Sequence, residues 1–382
     1  MNERTSTHRF ARQSKYERGS PEEATARLSG WHRRVGGGQR IMKVGAGAKE
    51  IIKKALVNSH ALQLAGQWGS SGAVILMYHS VQDQPWQFAN SIGTGIIHAT
   101  SVFERQMKLI AGRFRPVTLE EVLLFLNGKM KLPPRAVAVT FDDGFADNYD
   151  IAAPILARYG IRAVFYVTAA LIGTNSAPWY CRLRFAFATT RRDAWRDLET
   201  GRMHPLDTPD GREKALLAAF DSCASLAGNR QEETVARIES NLESELRPSH
   251  DGSRFMMDWD QVRRLNQEGH SVGSHTLTHP NVAHVISEEI LRRELSESKR
   301  KIEQAIGSTV DHFSYPHPAL IPQWNEETVA MTRRVGYLSA VTTTPGPVRA
   351  TADPLRLTRI GAPRADHQFL WNLEWTFLGR RV

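Results

Sequence analysis

The segment Ala136-Val-Ala-Val-Thr-Phe-Asp-Asp-Gly144 is an uninterrupted apolar run that ends on two adjacent carboxylates and a glycine. Six residues of this kind, with no polar alternation, have the length and character of a strand buried on both faces. Upstream, Ala73-Val-Ile-Leu-Met-Tyr78 reads the same way and ends at His79-Ser80-Val81. Downstream, a helix over Ile151 to Tyr159 stops at Gly160 and leads into a third strand, Ala163 to Val167. Between the first two strands, Phe103, Met107, Leu109 and Ile110 mark one helix and Leu119 to Leu126 another. Strand, helix and strand at this spacing predict parallel β/α units. In such a barrel catalytic groups collect at the C-terminal strand ends, where Asp142 and Asp143 stand. Taken alone, a solvated Asp-Asp-Gly turn explains the pair better.

Further along, residues 175–255 break the rhythm with charged, helix-prone sequence, notably Gly211 to Ala227 and Glu232 to Leu246. They read as a helical insertion, because β/α elements resume afterwards. Trp259, Val262 and Leu265 line one helix face before Gly269, and the strand Ser271 to Ser274 follows. Ile290, Leu291, Leu295, Ile302 and Ile306 mark a further helix, with short strands near His312 to Tyr315 and Tyr337 to Thr342.

Composition bounds the function. The 382 residues include 49 basic and 40 acidic side chains, a net charge of +9. Thirteen basic and five acidic residues fall between Met1 and Lys54, so that segment carries +8 and the rest about +1. A charge confined to one arm argues against a nucleic-acid-binding surface on the globular part, and no nucleic-acid partner is expected. Binding through the arm would be salt-sensitive and lost on deleting residues 1–54. Two cysteines, Cys181 and Cys223, make neither a disulfide framework nor a structural zinc cluster. No apolar run reaches the ~18 residues that span a bilayer, and Met1 to Arg40 lacks the apolar core of a secretory signal. Cytoplasmic residence is therefore expected, with membrane association through the basic arm.

The expected organisation is a disordered basic arm over 1–45, an amphipathic helix and linker over 46–72, a catalytic domain over 73–365 and a C-terminal tail over 366–382. Met42 offers an alternative start. The 46–72 helix, with Ile51, Ile52, Leu56, Leu62 and Leu64 among Lys49, Lys53 and Lys54, suits an anionic membrane surface. Its short apolar face is better explained by packing on the domain.

A second cluster changes the reading of Asp142-Asp143. Ser274-His275-Thr276-Leu277-Thr278-His279-Pro280 also follows a strand. Two imidazoles four residues apart can converge on one ion, and a carboxylate completes a three-ligand site with an open position. With these two motifs in this order, the chain resembles the polysaccharide deacetylases of carbohydrate esterase family 4, the nodulation-type deacetylase domain. The likeness runs from about residue 73 to 365.

The resemblance implies an α/β fold, a distorted (β/α) barrel of the polysaccharide deacetylase type with the helical insertion. It implies that Asp143, His275 and His279 hold a divalent metal, Zn2+ or another, and that Asp142 is the general base. His312-Phe-Ser-Tyr-Pro-His-Pro318 resembles the family's third motif, with Ser314 where other branches have Arg and His317-Pro318 in place of an aromatic-Gly ending. The backbone N–H of Tyr315 is the expected oxyanion donor. Arg359, in Leu357-Thr-Arg-Ile360, either replaces the missing Arg as orienter of Asp142 or is structural. The family's Leu-x-His element is missing near the C-terminal end of the domain. Leu76-Met-Tyr-His-Ser-Val81 resembles the branch that carries this element at the start of the barrel, which makes His79 the expected acid and His317 its rival. Trp86, Trp179 and Tyr180 either stack on sugar rings or pack the core. The implied activity is metal-dependent removal of N-acetyl groups from amino sugars in a polysaccharide or lipid-linked precursor. The alternatives are a peptidoglycan or chitin-oligosaccharide deacetylase, or a non-catalytic glycan-binding relative.

Overall fold

The computed structural model describes residues 53–56, 72–246, 254–285 and 287–380. The expected disordered arm and most of the 46–72 helix lie outside the described residues. Lys53 to Leu56 form a helical turn whose Leu56 packs against the main core. Lys53 sits over the Trp371 ring at 5.5 Å, so this turn rests on the domain.

In chain order the elements begin with β1 (Gly72–Tyr78), β2 (Ser80–Gln82), β3 (Ile97–Ala99), α1 (Thr100–Arg113), β4 (Arg115–Pro116) and α2 (Leu119–Leu126). Next come β5 (Ala136–Phe141), α3 (Ala153–Arg158) and β6 (Ala163–Val167). The insertion follows, with α4 (Trp179–Thr189), β7 (Ala194–Arg196), β8 (Met203–Pro205), α5 (Pro209–Ala224) and α6 (Gly228–Leu242). The chain then runs through α7 (Trp259–Gln267), β9 (Ser271–Ser274), α8 (Glu288–Ile306), β10 (His312–Ser314), α9 (Glu326–Val335) and β11 (Ser339–Val341). It ends with β12 (Val348–Arg349), β13 (Ile360–Gly361) and α10 (Asp366–Phe377).

The main sheet runs β11-β10-β9-β6-β5-β1-β12, and every pairing is parallel except β1 with β12. One segment links its two edges: Leu357 bridges to Val341 of β11, and Ile360 pairs with Leu76 of β1. The sheet therefore curls into a distorted (β/α) barrel, as expected from the sequence. Alternation along β5 sends Val139 and Phe141 toward the covering helices, while Ala138 joins Ile75, Tyr166, Val341 and Leu357 in a separate apolar cluster. Helix α2 adds Leu119, Val122 and Phe125 to that cluster; its start is set by the Thr118/Glu121 capping box.

Register places the functional strand ends side by side. Tyr78 pairs with Phe141 and Phe141 with Phe165, giving ring centroids 5.5 and 4.9 Å apart. Each of these buried rings contributes about 1.5–3 kcal/mol by leaving water. The residues just beyond them, His79 and Asp142, consequently emerge together.

Two features differ from the sequence reading. The 366–382 tail is largely helix α10, whose Phe369, Leu373 and Phe377 recur every four residues and are buried in the main core. A buried Arg135–Glu374 ion pair fastens it. The insertion contains a β7/β8 hairpin besides its helices, with Trp195 packed on Phe187 in a second apolar cluster that also takes in Ile92, Ile97 and Phe145.

Candidate active site

Asp142 and Asp143 leave β5 in opposite roles. Asp142 continues the inward face of the strand and meets the guanidinium of Arg359, with both Nη–Oδ distances 2.8 Å. Arg359 is wholly buried, and its remaining N–H groups donate to the Thr342 carbonyl, Thr140 Oγ1 and Ser314 Oγ. All five donors are engaged, and the planar fork fixes the carboxylate in one orientation. Burial raises the Asp142 pKa, but Arg359, His275 and His79 more than offset it, so the carboxyl is held below its usual range. Ser314 is one of the groups that receive Arg359. The orienting role considered for Arg359 is thus matched by contact.

Asp143 turns the other way because its φ is 77°. Thr276 and His279 also have positive φ, 66° and 65°. Each left-handed non-glycine residue costs about 1–3 kcal/mol, and three around one cluster are the mark of a constrained site. Gly144, at φ 88°, allows the turn, and a Cβ there would press on Val167 and Ile172 at 3.1 Å. The strain is held by hydrogen bonds: Thr168 N–H donates to the Asp143 carbonyl, Ala169 N–H to that of Thr276, and His279 N–H to Thr276 Oγ1.

The turn brings three side chains together. Asp143 Oδ1 lies 3.5 Å from His275 Nε2 and 3.3 Å from His279 Nε2, all three residues being buried. Among the described residues this is the cluster of carboxylate and imidazole groups able to hold a metal, its ligand atoms within 4.8 Å of one another. His275 Nδ1 donates to the Ser314 carbonyl at 2.8 Å, which fixes the tautomer that leaves Nε2 as a lone-pair donor. Burial, then repulsion from His279, lowers the His275 pKa to about 4, so this imidazole is neutral and ready to ligate. One carboxylate and two imidazoles fit zinc or a similar divalent ion, with room for further ligands.

The loop between the two histidines has a support that sequence reasoning missed. Glu294 of α8 is buried and accepts from Leu277 N–H at 2.9 Å, Thr278 N–H at 2.8 Å and Thr278 Oγ1 at 2.7 Å. The available signal was its place beside Leu291 and Leu295 on an otherwise apolar helix stripe.

His79 follows β1 and is half-buried, within electrostatic reach of Asp142 and Asp143. Its backbone is clamped by the turn that follows β5. Asn148 Nδ2 donates to the His79 carbonyl at 2.6 Å, while Asp147 accepts from Ser80 Oγ at 2.7 Å and Val81 N–H at 3.0 Å. His317, the rival acid, is exposed and close enough to His279 for their charges to interact.

Tyr315 is placed differently from expectation. Its N–H donates to the Val341 carbonyl at 3.2 Å in the β10–β11 ladder, and its ring is buried in the core. A donor engaged in the sheet is not free for an oxyanion. Pro316 has no N–H, so the next backbone donor in that loop is His317. Of the three aromatics, Trp86 is 69% exposed and open to a ligand, whereas Trp179 and Tyr180 are buried at the start of α4 and cannot stack on a sugar.

Residues 129–205 and 209–340 match the family model for polysaccharide deacetylase. Among curated proteins, the chain is 22% identical over 273 residues to YxkH of Bacillus subtilis (strain 168), whose name places it among polysaccharide deacetylases. That alignment covers 71% of this chain and 64% of the relative, so less than two thirds of the relative's length is spanned. Among solved structures, the Streptococcus pyogenes deacetylase PplD in complex with acetate superposes with a TM-score of 0.53 at 20% identity, covering 81% of this chain and 99% of that one. IcaB from Ammonifex degensii gives 0.51 at 17% identity, covering 80% and 98%. At these identities the two structures share the fold.

Proposed function

The chain belongs to the polysaccharide deacetylase family, and from that premise we propose that it is a metal-dependent N-deacetylase of acetylated amino sugars in a polysaccharide or its lipid-linked precursor. The observation that carries the reading is the convergence of Asp143, His275 and His279 beside an Asp142 locked by Arg359. A divalent ion held by Asp143, His275 and His279, zinc by the donor set, would polarise the acetamide carbonyl and acidify water.

The protein's own groups do the rest. Asp142, kept ionised by Arg359, accepts a proton from the attacking water. As the water oxygen bonds to the carbonyl carbon, the charge that develops on the carbonyl oxygen is met by a backbone N–H, for which we assign His317 in place of Tyr315. The C–N bond then breaks, and His79 delivers a proton to the departing nitrogen, leaving acetate and a free amine. The Asp147–Asn148 clamp supports this role by holding the His79 backbone beside Asp142.

The proposed place of action is the cytoplasm, at an anionic membrane reached through the basic first 54 residues. Among the described residues no helix is long and apolar enough to cross a membrane. Sedimentation with anionic vesicles, lost on deleting residues 1–54, tests that attachment. For the activity, acetate release is measured on N-acetylglucosamine oligomers, chitin oligosaccharides and peptidoglycan fragments, with and without chelator. Chelator-sensitive release supports the enzyme, and the preferred substrate ranks the glycan classes. Sugar binding with no release on any of them would leave a glycan-binding protein.

A further inference from the structure

The insertion reaches the metal site through the first turn of α4, and it does so at two points. Trp179 Nε1 donates to the carbonyl of His279 at 3.0 Å. Tyr180 lays its ring against the His279 imidazole, with centroids 4.9 Å apart and planes tilted by 46°. Both residues are at least nine-tenths buried. Elements far apart in sequence thus share one ligand.

An unsatisfied hydroxyl stands there beside a buried carboxylate. The Tyr180 hydroxyl is fully enclosed and makes no hydrogen bond, although a buried phenol ordinarily finds a partner. It lies in the field of the Asp143 carboxylate. Asp143 faces the two imidazoles on Oδ1, and the Tyr180 hydroxyl is a further donor within its reach. Metal-ligating carboxylates are ordinarily held by an outer hydrogen bond. A buried hydroxyl without a partner and a ligand carboxylate within its reach are complementary.

We propose that Tyr180 is a positioning residue of the metal site, its hydroxyl donating to the Asp143 carboxylate when a cation is bound, so that the insertion forms part of the metal's outer support. This rests on the reading of Asp143, His275 and His279 as ligands. The ring of Tyr180 backs His279, the hydroxyl orients Asp143, and Trp179 anchors the backbone that carries His279.

The test compares wild type with Tyr180→Phe, which keeps the ring and removes the hydroxyl alone. The metal-free proteins are titrated with Zn2+ against a chromophoric chelator, and their melting temperatures are measured with and without the ion. Because the hydroxyl has no partner in the metal-free state, the variant's metal-free melting temperature should equal or exceed that of wild type. Its Zn2+ affinity should fall about 10–100-fold, with a correspondingly smaller rise in melting temperature on loading. At saturating Zn2+, kcat should return to within a few-fold of wild type with KM unchanged. Affinity within twofold of wild type would overturn the proposal and leave the ligand assignment standing. So would normal affinity combined with a kcat that excess Zn2+ does not restore, since Tyr180 would then act on substrate. A wild-type protein that binds no divalent ion would remove the ligand assignment itself, and this inference with it.

Discussion

Replacing Arg359 by Met tests the innermost contact of the site. The substitution keeps much of the side-chain volume and removes the five donors now divided among Asp142, Thr140, Ser314 and Thr342. Breaking a buried ion pair by deleting one partner costs about 3–5 kcal/mol when the survivor stays charged. Asp142 has another course, which is to take up a proton. Its unfolded pKa of 3.8 then caps the penalty at about 1.4 kcal/mol for each pH unit above that value, or about 4 kcal/mol at pH 7 and about 2 kcal/mol at pH 5. The sign follows from proton counting. In the variant the folded carboxyl's pKa lies above the unfolded one, so the native state holds a proton that the unfolded state releases, and stability falls as pH rises from 3.8. Urea unfolding at pH 5 and pH 7 reads this directly, and the acid limb of the pH–rate profile should move upward with it. Adding Asp142→Asn to Arg359→Met removes the stranded carboxylate and should recover most of the lost stability. A loss below about 1 kcal/mol that is equal at both pH values, with activity within threefold of wild type, would refute the reasoning.

Other consequences are equally open to measurement. His79→Ala should nearly abolish turnover while metal content stays at the wild-type level; near-normal turnover would take His79 out of the acid role. Glu294→Gln should lower metal affinity about 10–100-fold, because the His275–His279 loop loses the carboxylate that gathers its two N–H groups and one hydroxyl. A competition titration that finds unchanged affinity contradicts this. His270 accepts from Ala163 N–H through Nδ1, and burial, then Arg162, lowers its pKa to about 4. The unfolded imidazole titrates near 6.5, so His270's contribution is complete above that pH and is lost as pH falls toward 4, about 3 kcal/mol in all. His270→Asn should flatten the stability–pH slope over that interval; a slope equal to wild type would contradict the assignment.

The barrel was legible in the sequence because its strands are buried on both faces. Ala73 to Tyr78, Ala136 to Phe141 and Ala163 to Val167 are apolar without alternation, and each stands where it was expected. The metal cluster was legible because its members are chemically conspicuous and sit just past such strands. What escaped reading depends on long-range contacts with little local signature. The Tyr315 N–H reads as a free donor in the sequence, whereas the β10–β11 pairing engages it through a strand more than twenty residues away. Glu294 and Asp147 look like ordinary charges on a helix and a turn, and their importance lies in the backbone groups they gather from elsewhere. Helix α10, expected as a tail, carries a helical signal in Phe369, Leu373 and Phe377, but its docking depends on the Arg135–Glu374 pair, whose partners are far apart in sequence.

The central claim is that Asp143, His275 and His279 hold the ion that makes this protein a hydrolase, with Asp142 as its base. The most direct test is acetate release from N-acetylglucosamine oligomers by wild type, by chelated wild type after stepwise return of Zn2+, and by Asp142→Asn and Asp143→Asn. Activity should vanish on chelation and return in full at about one ion per chain. Asp142→Asn should bind the ion with little turnover, and Asp143→Asn should lose both. Release that survives chelation, or an Asp142→Asn variant that turns over at the wild-type rate, would contradict the account.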